Sequence, residues 1–313
     1  MNTTNVEITF TKLYTEWLEI KRISIKHSTY IKYKNIIQLH LYPFFEKTDI
    51  YDLNELMIAN YLLFLNKEKH LSSSSLQSIK YVFKSLYLYG QRQYQLKNIN
   101  FDFVKIPVEK KLSKILEEKE ETILTNYCIK NANAIALAIM LGLYAGLRLG
   151  EVCALKWEDI DLEEGVIHIN KTVQRLENID RQLTKTQVMI FKPKTQSSYR
   201  DVMMPDFLTE YIKKYFALVL LNHNSENHFI LSNKTTPSEP RTIQRSFERV
   251  CKKSDIMTNF HTLRHTYATN CIKLGIDVKT VSEMLGHSNI STTLNRYVHP
   301  SQKFKKTQVN KLK

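Results

Sequence analysis

The chain has 313 residues, of which 43% are apolar, and its 45 Lys and Arg outnumber 31 Asp and Glu to give a net charge of +14. This length and apolar share exclude a mainly disordered chain and favour two domains over one. The longest uncharged stretch, residues 131–147, falls short of the roughly 20 apolar residues that cross a membrane, so it predicts a buried helix. The four cysteines have no C-x-x-C spacing, and the N-terminus lacks a basic and apolar leader. We therefore expect a cytoplasmic protein with no membrane partner and no metal.

The positive charge is spread over both halves of the chain. Residues before Val108 include 14 basic and 9 acidic side chains, and those from Val108 onward include 31 and 22. Such an excess attracts polyanions through long-range electrostatics and counterion release. If nucleic acid is the partner, we expect both halves to contact it.

Four helices are predicted in the N-terminal third. The first has one apolar face with helical spacing, formed by Phe10, Leu13, Tyr14, Trp17 and Leu18. The second runs from Ser28 to a stop before Pro43, and the third covers roughly residues 53–66. The fourth follows the serine run 72–75 and is expected to end at Gly90.

These elements set the predicted domain boundaries. Residues 7–103 are predicted to form a helical domain, and residues 104–113, which are basic and include Pro107, are predicted to form a linker. Residues 114–313 form the second domain. There, helices precede a strand at 165–173, and residues 187–205 predict two strands around a hairpin at "KTQSS". The pattern is helical again after Pro205, so this domain is predicted to be mostly helical with one small sheet.

Five places in the second domain offer cations or a nucleophile suited to phosphate chemistry. The stretch "HTLRHTYATN" at 261–270 puts His261, Arg264 and His265 within five positions, and His261 and Arg264 share a helix face. The other places hold Arg148 in "AGLRLGE", Lys194 at the expected hairpin tip, His287 after the predicted cap Gly286, and Tyr297 in "NISTTLNRYVHP". Taken singly, each also has an ordinary structural explanation as an ion-pair arginine, a solvated lysine, a helix-capping histidine or a core tyrosine.

As an ordered set, these residues resemble the tyrosine recombinases, also called the phage integrase family. "AGLRLGE" resembles the first arginine motif and supplies Arg148 with the supporting Glu151. "PKTQSSYR" resembles the β-hairpin lysine motif, in which we choose Lys194 over Lys192 because the tip should follow Pro193. "HTLRHTYAT" is similar to the H-x-x-R box, and "LGHSNISTTLNRYVH" combines the last histidine with the tyrosine.

The resemblance implies a mechanism without a metal or another cofactor. Tyr297 attacks a DNA phosphate, releases a 5′-hydroxyl and forms a 3′-phosphotyrosine bond. Arg148 and Arg264 neutralise the charge that develops on the non-bridging oxygens. The catalytic histidines, His261 and His287, contact the same phosphate and help to position or deprotonate the tyrosine, while Lys194 protonates the leaving oxygen.

The resemblance also implies a mainly α fold with a small β-sheet. It consists of an N-terminal core-binding domain and a C-terminal α+β catalytic domain. The expected partners are double-stranded recombination sites, three further protomers in a homotetramer that acts through a Holliday junction, and accessory DNA-bending or directionality proteins. "LNRYVHP" favours integration or excision of a mobile element. Three alternatives stay open: a Xer-type dimer resolvase, an inversion recombinase and a catalytically silent DNA-binding protein.

Overall fold

In the computed structural model, residues 8–107, 114–178, 186–192, 199–220 and 227–297 are described, together with 306, 309 and 310. The chain forms two compact units, residues 1–111 and residues 112–313. Each unit has its own hydrophobic core. None of the helices in the described part of the chain is both long and apolar enough to cross a membrane.

The described part of the N-terminal unit is helical, and three of its helices begin at side-chain caps. The α-helices are α1 (Phe10–Ser24), α2 (His27–Ile36), α3 (Tyr42–Phe45), α4 (Glu55–Lys67) and α5 (Ser73–Tyr94). Thr9, Asn54 and Ser72 accept hydrogen bonds from the first turns of α1, α4 and α5. Such caps satisfy backbone N–H groups that have no partner within the helix. The apolar face predicted for the first helix points into the core, where Phe10, Leu13, Trp17 and Leu18 are buried.

Two predicted helix ends in this unit are wrong. A π-helical turn, Ile37–Leu41, joins α2 to α3, and the helical course passes Pro43. Pro43 lies in the first turn of α3, where a missing N–H costs little. Helix α5 also continues past Gly90 to Tyr94. Gly90 is a packing position, because a Cβ there would lie 2.7 Å from Leu96 and 3.1 Å from Leu13.

The second unit carries most of the secondary structure. Its helices are α6 (Glu118–Asn131), α7 (Ala134–Tyr144), α8 (Leu149–Val152), α9 (Asp206–Leu220), α10 (Pro240–Lys253), α11 (Phe260–Lys273), α12 (Val278–Leu285) and α13 (Ile290–Tyr297). Its strands are β1 (Ile160–Asp161), β2 (Val166–Ile169), β3 (Thr172–Glu177), β4 (Thr186–Phe191) and β5 (Arg200–Met203). The prediction of a mostly helical protein with little β-structure is confirmed.

The strands form two antiparallel sheets rather than the single predicted sheet. One has the order β1-β2-β5, and the other pairs β3 with β4. The apolar run at 165–173 is therefore divided between β2 and β3, which belong to different sheets. The two strands predicted around "KTQSS" exist as β4 and β5, but each pairs with a different partner. Residues 193–198, which contain the predicted hairpin tip, lie outside the described residues.

Helix α7 lies at the centre of the second unit and confirms the predicted buried helix. Every residue from Ala136 to Leu143 is buried, as expected for a helix that is apolar on all sides. At Gly142 the helix approaches α11 closely, since an added Cβ would lie 3.0 Å from Leu263. The close packing at Gly142 fixes α11, which carries His261, Arg264 and His265, against the core.

Candidate active site

The first arginine motif occupies the turn between α7 and α8. Gly146 has a φ of +64°, and a Cβ at this position would clash with Tyr267. Arg148 precedes α8 and is bound to Glu151 twice, from its backbone N–H to Oε2 at 2.9 Å and from Nη1 to Oε1 at 2.7 Å. Its Nη2 donates to the carbonyl of Gly286 at 3.4 Å. The guanidinium is thus held in place while 37% of its side chain stays exposed.

Glu151 joins this arginine to a second one, Arg200, that the sequence analysis did not single out. Arg200 donates from Nη1 and Nη2 to the Glu151 oxygens at 3.1 and 2.8 Å, and from Nε to the Met284 carbonyl at 2.7 Å. Burial alone would raise the pKa of Glu151, but the hydrogen bonds and charge of Arg200, with the charge of Arg148, lower it to about 2. Glu151 therefore anchors two guanidiniums as a carboxylate.

Replacing Glu151 by Gln should strongly destabilise the protein at neutral pH. Removing one partner of a buried ion pair costs about 3–5 kcal/mol, because the remaining charge is buried without compensation. The folded-state pKa lies below the ordinary 4.5, so this stabilisation is complete above pH 4.5 and is lost as pH falls through about 2. Urea unfolding should show a difference in the free energy of unfolding between wild type and variant, and this difference should shrink as pH falls from 4.5 to about 2.

The matched control is Glu210→Gln. Glu210 pairs with Lys213 at 3.0 Å on the surface of α9, and 59% of the Glu210 side chain is exposed. Exposed pairs of this kind contribute about 0–1 kcal/mol. If the two variants lost the same free energy of unfolding, the Glu151 cluster would not stabilise the fold.

Arg264 lies on α11, which begins at the side-chain cap of Asn259. Arg264 is only 1% exposed, and it donates from Nη1 to the Gly146 carbonyl at 2.7 Å and from Nη2 to the Leu285 carbonyl. Burial and the charge of Arg148 lower the pKa of Arg264 to about 9, which leaves it charged at neutral pH. Arg264 therefore connects the turn before α8 to the end of α12.

His287 follows the C-terminal cap of α12. Gly286 ends this helix with a φ of 63°, as the sequence predicts. The His287 Nδ1 lies 2.8 Å from Oγ1 of the fully buried Thr293, so α13 orients the ring. The ring is nearly parallel to that of Tyr297, with 6.4 Å between centroids.

Tyr297 ends α13 and is 6% exposed. Its Oη lies 2.6 Å from Nδ1 of His265, a histidine to which the sequence analysis gave no role. The His265 ring in turn contacts the ring of His261, which lies one helical turn earlier and is exposed, with 4.4 Å between centroids. The predicted nucleophile and both predicted histidines thus meet around α11.

The described part of the site therefore brings together six residues singled out in the sequence. They are Arg148, Glu151, His261, Arg264, His287 and Tyr297. Lys194 lies outside the described residues, and Lys192, which follows β4, is exposed. Fixed guanidiniums, imidazoles and a phenol in one place suit attack on a phosphodiester, whose transition state gains negative charge.

Comparison with known proteins agrees with this chemistry. Residues 114–303 match the family model described as the phage integrase family, and residues 9–66 match the phage integrase N-terminal SAM-like domain. The chain belongs to the phage integrase family, the tyrosine recombinases. The resemblance inferred from the motifs is confirmed.

Two curated relatives and one solved structure illustrate the similarity. The chain is 27% identical to a tyrosine recombinase XerC-like protein of Caldanaerobacter subterraneus, covering 95% of this chain and 81% of the relative. It is 26% identical to the ICEBs1 integrase of Bacillus subtilis, covering 97% and 83%. The fold resembles the Tn1549 transposon integrase in complex with transposon right end DNA, with a TM-score of 0.77, 23% identity and coverage of 97% and 99%.

Proposed function

We propose that the chain cuts and rejoins DNA at specific sites through a 3′-phosphotyrosine intermediate, and that it integrates and excises a mobile element. The observation that carries the proposal is the convergence of Tyr297 with the guanidiniums of Arg148 and Arg264 and the imidazole of His287. The integrase relative from Bacillus subtilis and the family motifs support the mobile-element role.

Each side chain has a role that follows from its chemistry and position. Arg148 and Arg264 neutralise the non-bridging oxygens with forked hydrogen bonds. His261, which is exposed, and His287 bind the same phosphate. Lys194 protonates the departing 5′ oxygen. The phosphotyrosine bond conserves the energy of the broken phosphodiester, so rejoining needs no external energy source.

Replacing Arg148 by Ala should slow DNA cleavage by about 10²-fold or more, since a fixed donor to the transition state is lost. Affinity for DNA should fall far less because many other phosphate contacts remain. Rapid-quench cleavage and a binding titration separate the two effects. Because Arg148 shares Glu151 with Arg200, a thermal melt is needed to show that the variant is folded. If the folded variant cleaved at the wild-type rate, Arg148 would have no catalytic role.

The N-terminal unit offers a basic surface suited to the DNA backbone. Lys80, Lys84 and Lys105 line one groove with the exposed ring of Tyr81. Asp102 at its edge binds Lys80 and Lys84 at 3.2 and 2.9 Å and orders their side chains. We assign this groove to phosphate contacts of the core-binding domain, whose proposed limits remain residues 7–103, with the linker at 104–113 and the catalytic domain at 114–313.

The proposed assembly is four protomers on two recombination sites, acting through a Holliday junction with accessory DNA-bending or directionality proteins. The test uses nicked duplexes tiled across the DNA on both sides of the gene that encodes the chain. Incubation with the chain followed by a denaturing gel reveals covalent capture. Capture of duplexes from the ends of an inserted element supports integration. Capture of a chromosomal dimer-resolution site instead would make the chain a resolvase, and no capture would contradict the proposal.

A further inference from the structure

His265 stands next to Arg264 in the sequence, and its side chain reaches a different part of the site. The ring is 8% exposed, and its Nδ1 lies 2.6 Å from Oη of Tyr297. The two rings have centroids 5.4 Å apart and are tilted by 51°, so they are not stacked. A buried imidazole therefore touches the atom that has to attack the phosphate.

We propose that His265 is the general base that takes the phenolic proton of Tyr297, an inference that rests on the proposed recombinase function. A base has to lie within about 2.6–3.2 Å of the proton it removes, and the Nδ1–Oη distance meets this requirement. His261 and His287 then serve the phosphate. His287 turns its Nδ1 to Thr293, and its ring faces the Tyr297 ring in parallel.

The proton transfer balances between His265 and the proposed general acid, Lys194. Neutral His265, with its proton on Nε2, accepts the phenolic hydrogen at Nδ1 as the Tyr297 Oη–P bond forms. The bond between phosphorus and the bridging 5′ oxygen breaks, and that oxygen takes a proton from the general acid, Lys194. In rejoining, the 5′-hydroxyl returns its proton to that lysine, and the His265 imidazolium returns the other proton to the released phenol.

The location of His265 within the helix explains how it stays aligned. It follows His261 by four residues, so the rings are neighbours on α11, and the His261 ring packs edge-on against it. The carbonyl of His265 accepts a hydrogen bond from Thr269 at 2.9 Å. Besides His265, the titratable or charged groups on α11 are His261, Arg264, Tyr267, Cys271 and Lys273. The described residues of the helices packed against α11 add Tyr144, Lys279, Glu283 and Tyr297. Glu121, Arg148, Glu151, Arg200 and His287 lie around these groups.

The experiment compares His265→Asn with the wild type in single-turnover cleavage of a captured nicked duplex from about pH 5.5 to pH 9, a range that includes imidazole titration. Asn places an amide oxygen near the location of Nδ1, so it keeps the hydrogen bond to Tyr297 but cannot accept a proton. We expect cleavage roughly 10²- to 10⁴-fold slower near neutral pH. The deficit should shrink as pH rises and hydroxide replaces the imidazole. DNA affinity and the melting temperature should be unchanged.

His261→Asn is the matched control, since it changes the neighbouring ring on the same helix. It should slow cleavage but keep the pH profile of the wild type. If His265→Asn cleaved at the wild-type rate, or were slower by the same factor at every pH, the proposal would be overturned and His265 would have only a packing role. If the wild-type chain captured no duplex, the recombinase function would be overturned as well. Failure of the His265 proposal alone is therefore distinguishable from failure of the recombinase function.

A second measurement needs no variant. Nitrogen-15 NMR of the histidine-labelled wild-type chain reports which ring nitrogen carries the proton. We expect His265 to have an unprotonated Nδ1 and a protonated Nε2 at neutral pH. A protonated Nδ1 would make His265 a donor to Oη and would overturn its role as the base.

Discussion

Tyr297→Phe is expected to abolish the covalent protein–DNA complex completely while DNA binding persists. The substitution removes the phenolic oxygen, which is the proposed nucleophile, and keeps the ring that packs against α11 and α12. The lost hydrogen bond to His265 should cost only about 1 kcal/mol of stability. A denaturing gel after incubation with a nicked duplex should show no shifted band.

The control for Tyr297→Phe is Tyr211→Phe. Tyr211 donates from Oη to the Cys128 carbonyl at 3.2 Å, away from the α11 histidines. The Tyr211 variant therefore also loses one hydroxyl and one hydrogen bond, but not at the proposed nucleophile. The Tyr211 variant should form the complex as the wild type does. A shifted band with Tyr297→Phe would place the nucleophile on another residue.

Lys194→Ala is expected to slow cleavage of normal DNA by roughly 10²- to 10⁴-fold, because the 5′ oxygen is a poor leaving group without a proton. Replacing that bridging oxygen by sulfur should restore cleavage nearly to the wild-type rate, since a thiolate leaves unprotonated.

Two further variants make this assignment specific. Lys192→Ala, which changes an exposed lysine after β4, should cleave both substrates normally. Arg148→Ala should not be rescued by sulfur, because its defect lies at the non-bridging oxygens. Rescue of the Lys192 variant would move the general acid by two residues, and rescue of neither lysine variant would remove the proposed proton donor.

The parts of the site that depend on local geometry could be predicted from the sequence. His261 and Arg264 are neighbours because helical residues three apart share a face, and Gly286 ends α12 because it adopts a left-handed conformation. The ordered motifs then identified the family. These features are determined by interactions over a few residues, which a sequence pattern records directly.

The features that were missed depend on contacts between distant segments. Arg200 enters the site because β5 pairs with β2 and its side chain reaches Glu151, 49 residues earlier. His265 was visible beside Arg264, but its contact with Tyr297 spans 32 residues and depends on how α13 packs against α11. The prediction that α5 ends at Gly90 was wrong because a close packing position within a helix and a helix end can both require glycine.

The central claim is that Tyr297 itself becomes joined to the 3′ end of the cut strand. The direct measurement is mass spectrometry of the wild-type chain after covalent capture of a nicked duplex and digestion with nuclease and protease. The account predicts that the peptide containing Tyr297 carries a nucleotide through its 3′-phosphate and that the released strand ends in a 5′-hydroxyl. A nucleotide on any other residue, or a 5′-phosphate linkage to the protein, would contradict it.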